Sequence, residues 1–297
     1  MTRALPVLTV IGLIVVIWYA ASVWMNAPWV YDQAARAGES VTFSQMVVET
    51  QSQSRPVLPP PHQVGTALWQ GLTGQAITSK RSLVYHGWVT LQSTLMGFVL
   101  GVVVGTALAV AIVHARVMDQ SVMPWAVISQ TIPIVALAPM IVVLSNSFWS
   151  GSLPQATGMD SRTVAKAIIS AYLSFFPVLV GMTKGLRSPD AMQLDLLRTY
   201  GASNGQTFRK LRLPAAMPYF FASLKVAIAA SLIGAIVGEL PTGAIQGLGA
   251  RMLIGSQFGE PLIMWSALFA AAIMAGFLIL IVGLAERFAK ARMGGIA

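Results

Sequence analysis

DLLRTYGASNGQTFRKLRLP, residues 195–214, lies between two long apolar runs and decides how the whole chain is read. Asp195 heads a short helix-forming stretch, and Gly201 stands where that helix must turn. Arg209, Lys210 and Arg212 follow, and Leu213-Pro214 closes the stretch just before the next hydrophobic run. This is the layout of a basic docking surface set between membrane spans, not of a pore or a catalytic pocket.

Outward from this stretch the chain is membrane sequence. It is 56% hydrophobic and only 10% charged, with a mean hydropathy of +0.71, where a soluble domain carries about 25% charged residues. Apolar runs extend from about Leu5 to Met25, Gly87 to Val113, Ser121 to Leu144, Val164 to Met182, Ala215 to Val237 and Leu262 to Leu284. Each suits a helix of the ~20 residues that cross a bilayer. Barrel strands would be short and alternating, so the fold class is an all-α integral membrane protein with about six transmembrane helices. The formal charge of +9 does not point to nucleic acid, because the basic residues gather in short segments between the runs, where topology places them. No cysteine is present, which leaves no disulfide, thiol nucleophile or thiolate metal site.

Lys and Arg set the orientation. With the N-terminus inside, 11 of them fall in cytoplasmic segments, from Arg3 and Arg116 to Arg287, Lys290 and Arg292, and 7 fall outside, including Lys80, Arg81 and Lys166. Lys225 lies within a span. Both termini are therefore expected in the cytoplasm. A cleaved signal peptide is the alternative for the first run, but its length, with Trp18, Tyr19 and Trp24 as an interfacial belt, favours a retained helix. Residues 51–63, QSQSRPVLPPPHQ, are polar and proline-rich and read as extended and exposed. Val64, Leu68 and Leu72 then mark one face of a short amphipathic helix on the outer surface.

Several features sit inside the spans. Ser93, Gly97, Gly101, Gly105 and Ala109 recur every four residues, which reads as close static packing, with a sliding or hinge surface as the functional alternative. Pro124, Pro133 and Pro139 interrupt the third run around Gln130 and Thr131, either a locally satisfied kink or a stretch lining a path. Lys225 is expected to snorkel to the cytoplasmic interface. Glu239 opens a glycine-rich stretch, LPTGAIQGLGARM, that suits an irregular outer segment, as a gate or a plain loop. Gln130, Thr131, Ser231 and Glu239 are the candidate solute-path residues, and there is no candidate catalytic or metal-binding set.

The chain lacks a G-x-x-x-x-G-K-[ST] phosphate loop, H-E-x-x-H and G-x-S-x-G, and His62, His86 and His114 are far apart in sequence. No internal repeat or evident proton relay offers ion coupling. Active transport by this chain would need an outside engine.

Residues 195–214 resemble the cytoplasmic loop of permease subunits in bacterial ATP-binding-cassette (ABC) importers, whose pattern is Glu-Ala-Ala, three residues, Gly, nine residues, Ile-x-Leu-Pro. Here Asp195-Leu196-Leu197 stands for Glu-Ala-Ala, Gly201 for the glycine, with Ala202 and Ser203 after it, Leu211 for the isoleucine, and Leu213-Pro214 matches outright. The first three positions are substituted while the spacing is kept. SQTIPIVALAPMIVV at 129–143 and GASNGQTFRKLRLPAAMPYFFASLKVA at 201–227 look like the nitrate/sulfonate/taurine-type branch.

The resemblance implies a type I importer permease in the bacterial inner membrane. A segment of residues 1–81, with one span, a polar outer stretch and an amphipathic helix, would precede a core of residues 82–290 with five spans and the coupling loop at 187–214, and a cytoplasmic tail at 291–297 would follow. It implies two copies forming a homodimer in the bilayer, a pair of ATP-binding subunits using ATP and magnesium, and a periplasmic binding protein, with no cofactor on this chain. The wording of DLLRTYGAS and GAIVGELPTG is closer to permeases for N-heterocycles, such as a pyrimidine, thiamine precursor or flavin, than to those for sulfonate, taurine or nitrate anions. An ion-coupled secondary transporter is the alternative from another class. Because the native chain has no cysteine, single Ser54→Cys and Ser203→Cys variants test the topology: an impermeant maleimide added to intact cells should label the first and spare the second.

Overall fold

A computed structural model describes residues 4–149, 160–241, 243 and 245–292. Arg3, the tail at 293–297, and Thr242 and Ala244 of the glycine-rich stretch lie outside the described residues. Two compact units partition the chain, residues 1–86 with 250–271, and residues 87–249 with 272–297. Among the described residues the regular structure is helical: α1 (Ala4–Ala37), α2 (Phe43–Ser52), α3 (Pro61–Thr73), α4 (Leu83–His114), α5 (Arg116–Ser129), α6 (Ile134–Trp149), α7 (Ser161–Leu186), α8 (Ala191–Thr199), α9 (Asn204–Thr207), a π-helical turn (Phe208–Arg212), α10 (Leu213–Glu239), α11 (Leu248–Gln257) and α12 (Pro261–Arg292). Five stretches are long and apolar enough to cross a membrane, or six if the bent pair α5–α6 forms one span. The all-helical architecture agrees with the sequence expectation.

In the larger unit α7 is central, with half of its apolar window buried, the largest share of the five. The small-residue stripe of α4 lies on it. A Cβ at Gly97 would stand 2.6 Å from the Ala167 carbonyl oxygen, and one at Gly105 would stand 2.5 Å from that of Phe175. Another face of α7 meets α10 as closely, with Gly185 against the Ala216 Cα (2.8 Å from an added Cβ) and Gly234 against the Ser170 Cα (2.7 Å). The stripe is thus a packing surface. Hydroxyls fasten the seams: Ser174 Oγ donates to the Gly97 carbonyl at 3.3 Å, and Ser231 Oγ to the Thr94 carbonyl at 2.7 Å. At one end Ala109, Ile112, Ala126, Leu179, Met182, Leu186 and Ala216 form a common apolar cluster, and Arg187 pairs with Asp119 at 2.9 Å.

The third apolar run is not one helix. It breaks between Ser129 and Ile134 by 102°, because Pro133 has no N–H to continue the ladder and disfavours helical geometry in Ile132. The Tyr172 hydroxyl of α7 donates to the Ser129 carbonyl at the end of α5, satisfying one of the carbonyls that the break exposes.

In the smaller unit the proline-rich stretch is folded, not extended and exposed. Pro56, Pro59, Pro60 and Gln53 are buried. Asn26 of α1 is fully buried and holds the stretch from both sides, donating to the Leu58 carbonyl at 2.9 Å and accepting from the Val57 N–H at 2.7 Å. Gln53 Nε2 donates to the Asn26 carbonyl (3.3 Å) and Gln63 Nε2 to that of Gln51 (2.8 Å). Trp18 stacks 5.7 Å from Phe269, and its Nε1 donates to the Pro59 carbonyl. Gly101→Leu is expected to wedge α4 off α7 and to destabilise by ~1–3 kcal/mol or more, lowering the thermal midpoint in detergent. Gly12→Leu, where no atom lies within 4 Å of the new Cβ, should leave that midpoint unchanged.

Candidate functional site

The elbow after α7 is built by local rules of helix ending and starting. Asp190, not Asp195, opens α8: its carboxylate accepts from the Met192 N–H at 3.4 Å. Asp195 sits in mid-helix, paired with Arg198 at 3.0 Å, which corrects its expected place at a helix start. Gly201 ends the helix in the left-handed region at φ +70°. Its N–H donates to the Arg198 carbonyl and the Ala202 N–H to the Leu197 carbonyl, both at 2.9 Å, the paired bonds of a Schellman ending. Leu197, Gly201 and Ala202 are therefore one structural device. Ser203 then starts α9 in a capping box, accepting from the Gln206 N–H (3.3 Å) while Gln206 Oε1 accepts from the Ser203 N–H (2.8 Å).

From Asn204 the helix runs 36 residues without interruption to Glu239. Pro214 does not start a separate span. Its ring would press on the carbonyl of Lys210 in a regular α-helix. The chain instead takes a wider turn at Phe208–Arg212, with the Leu213 N–H reaching back to the Phe208 carbonyl. Leu211 and Leu213 are half-buried there. On α8 and its C-cap, Met192, Leu196 and Tyr200 are 78%, 56% and 79% exposed. They are four residues apart and so share one face. Sequence reasoning named only Leu196 of the three; the four-residue spacing was the available signal.

The candidate path residues are not brought together. Gln130 and Thr131 lie at the α5–α6 break, Thr131 exposed with its hydroxyl on the Ile128 carbonyl. Ser231 is fully buried and braces α10 to α4. Glu239 is fully buried, at the head of a glycine-rich stretch in which Leu240, Pro241, Gly243 and Ile245 are exposed. Its Oε1 accepts from the Thr90 hydroxyl at 2.8 Å and its Oε2 from the Gly249 N–H at 2.7 Å, while Thr90 Oγ1 accepts from the Leu248 N–H at 2.9 Å. Together these side chains cap the start of α11, where the helix dipole also favours a carboxylate. Gly247 (φ +127°) leaves the space the carboxylate occupies.

Lys166, counted by sequence as an outer-loop charge, is instead buried in α7 with its Nζ 4.0 Å from Glu239. Lys225, expected to snorkel, pairs at 2.5 Å with Glu286, which Lys290 also meets at 3.0 Å. Glu286 escaped notice because it lies beyond the apolar run drawn for the last span. Among the described residues no group of three or more His, Cys, Asp or Glu could hold a metal ion.

Residues 97–294 match the family of binding-protein-dependent transport system inner membrane components. The chain is 30% identical over 231 residues to the riboflavin transport system permease protein RibX of Chloroflexus aurantiacus, covering 78% of each chain. It is 34% identical over 180 residues to the formylaminopyrimidine transport permease protein ThiX of Halalkalibacterium halodurans, covering 59% of this chain and 65% of the relative. To the nitrate import permease protein NrtB of Leptolyngbya laminosa it is 25% identical, over 52% of this chain and 51% of the relative. Its fold resembles that in an inward-facing structure of the MetNI methionine ABC transporter, with a TM-score of 0.51, 19% identity, and coverage of 76% of this chain and 95% of that one.

The chain belongs to the binding-protein-dependent transport permeases: it is a transmembrane subunit of an ABC importer, a multi-pass protein of the inner membrane with the type I importer permease fold. Its relatives are transport permease subunits.

Removing either buried charge alone, by Lys166→Met or Glu239→Leu, should destabilise by ~3–5 kcal/mol, since the partner is left buried and uncompensated. The double variant Lys166→Met/Glu239→Gln, which keeps acceptor and donor atoms near Gly249 and Thr90, should recover part of that loss in thermal unfolding of the purified protein.

Proposed function

We propose that this subunit works as a homodimer whose elbows, one per copy, each seat in a groove of an ATP-binding subunit on the cytoplasmic side. The observation that carries the reading is the exposed face of Met192, Leu196 and Tyr200 on α8, fixed by the Schellman ending at Gly201 to a helix that continues unbroken into the membrane as α10. An apolar stripe outside a span needs a partner. Asp195, Leu196, Leu197, Gly201, Ala202, Ser203, Leu211, Leu213 and Pro214 form or brace the docking segment. ATP and magnesium are used in the partner, which binds one conformation of the elbow better than the other and so shifts the permease between them. Both termini lie in the cytoplasm, and a periplasmic binding protein delivers the solute to the opposite side, toward a path beside Gln130 and Thr131.

The solute is proposed to be an uncharged or weakly charged N-heterocycle. The support is the 30–34% identity to permeases named for riboflavin and formylaminopyrimidine, against 25% for the nitrate permease. Burial of Lys166 beside Glu239 and pairing of Lys225 with Glu286 also leave both cations engaged rather than presented to an anion. Sulfonate, taurine or nitrate is the alternative cargo of the same machine.

Gly201→Val tests the elbow cleanly. No atom lies within 4 Å of the added Cβ, so the change acts through backbone conformation, where a left-handed non-glycine residue costs about 1–2 kcal/mol. Tagged chain drawn from native membranes should bring an ATP-binding subunit with it, and the variant should lose that subunit while keeping its helix content and membrane insertion. Equal co-purification by wild type and variant would sink the proposed docking role.

A further inference from the structure

The smaller unit holds a cavity that is separate in sequence from the coupling elbow. An open cavity of about 620 Å³ is walled by α3, by the segment leading into α4, by α11 and by the start of α12, a size in the range of small-ligand sites. Two guanidinium groups, of Arg81 and Arg251, line it together with the amides of Gln70 and Gln75 and the carboxylate of Glu260. Arg251 Nε is buried and has no hydrogen-bond partner. Burial pulls the Arg251 guanidinium below its usual range, and the nearby Glu260 carboxylate offsets only part of that cost. Glu260 is itself turned toward Arg55, at 3.9 Å. The cavity therefore combines an incompletely satisfied cation with a second cation and an acceptor.

Its depth is fixed by the chain. Leu83 begins α4 and Leu262 lies at the start of α12, and both line the cavity. The two helices cross the membrane by length and composition, so the cavity sits at the level where spans meet water. Exposed Trp69, Ile77 and Phe258 flank the lining residues in sequence and suit the headgroup layer. A ligand here would carry an anion for the arginines and an apolar body for the bilayer.

We propose that this cavity binds the headgroup of a phospholipid whose phosphate is held by Arg81 and Arg251 and whose distal hydroxyl or ammonium donates to Glu260. Guanidinium forks match phosphate oxygens in pairs, and an acceptor beyond them selects headgroups that can donate. Phosphatidylglycerol and phosphatidylethanolamine fit; phosphatidylcholine, whose quaternary ammonium has no N–H, does not. Arg81 and the α3 lining residues lie outside the family match at 97–294, whereas Arg251 and Glu260 lie within it, and none of them belongs to the coupling elbow.

The test is native mass spectrometry of the purified full chain in detergent, titrated with each of the three lipids, with circular dichroism as a folding control. Phosphatidylglycerol and phosphatidylethanolamine should bind about tenfold more tightly than phosphatidylcholine, the scale of one well-made charged hydrogen bond. Arg81→Gln/Arg251→Gln should weaken all three lipids at unchanged helix content. Glu260→Met, which removes the acceptor, should erase the discrimination against phosphatidylcholine and leave phosphate binding in place, while Arg36→Gln, on the exposed end of α1, should change nothing. Millimolar inorganic phosphate should not displace the lipid. Equal binding of the three lipids, or an intact preference in the double arginine variant, overturns the proposal. Full displacement by inorganic phosphate overturns the lipid as the source of the anion. So does loss of binding-protein capture in the arginine variant without any lipid preference in the wild type.

Discussion

Backbone against backbone along α7 is the constraint on which the larger unit depends. Inside a bilayer there is no water to drive helices together, so association rests on contact area and on hydrogen bonds that only close approach permits. Glycines on α4 and α10 remove the atoms that would hold the helices apart from α7. That approach brings the Ser174 and Ser231 hydroxyls onto carbonyls of α4. It also accommodates the burial of Lys166 and Glu239, which would otherwise be too costly in a dry setting. The capping of α11 by Glu239 and Thr90 then follows from the same seam.

Much of this was legible in the sequence, because the bilayer imposes rules that composition obeys. Length and apolarity located the spans, four-residue spacing located the α4 stripe, and Gly201 with Leu213-Pro214 located the elbow. What the sequence hid were properties of pairs distant along the chain. Nothing in the neighbourhood of Lys166 reveals that Glu239, 73 positions away, comes to meet it. Polar composition at 51–63 suggested solvent, whereas one buried asparagine, Asn26, collects the loop's backbone groups. Capping also competed with motif matching at α8, where a second aspartate five residues upstream of Asp195 took the helix start.

The elbow and the long helix after it form one mechanical body. A Schellman ending and a capping box fix the corner through backbone bonds, so its geometry depends little on side-chain identity. This explains how Leu196 and Leu197 can stand where the family pattern has alanines without loss of the turn. What the substitutions alter is the surface offered to a partner, since Leu196 is exposed while Leu197 is half-buried beside Ala202.

The wide turn at Phe208–Arg212 has a further consequence, one of indexing. A π turn holds one more residue than the α turn it replaces, and each residue of an α-helix advances the azimuth by about 100°. The direction in which α8 points about the axis of α10 is thus set by a single extra residue. Gaining or losing one residue there would swing the apolar face of Met192, Leu196 and Tyr200 by roughly a quarter of a revolution. Natural variation at this turn should therefore be by substitution and almost never by change of length, even though it lies on a water-facing segment.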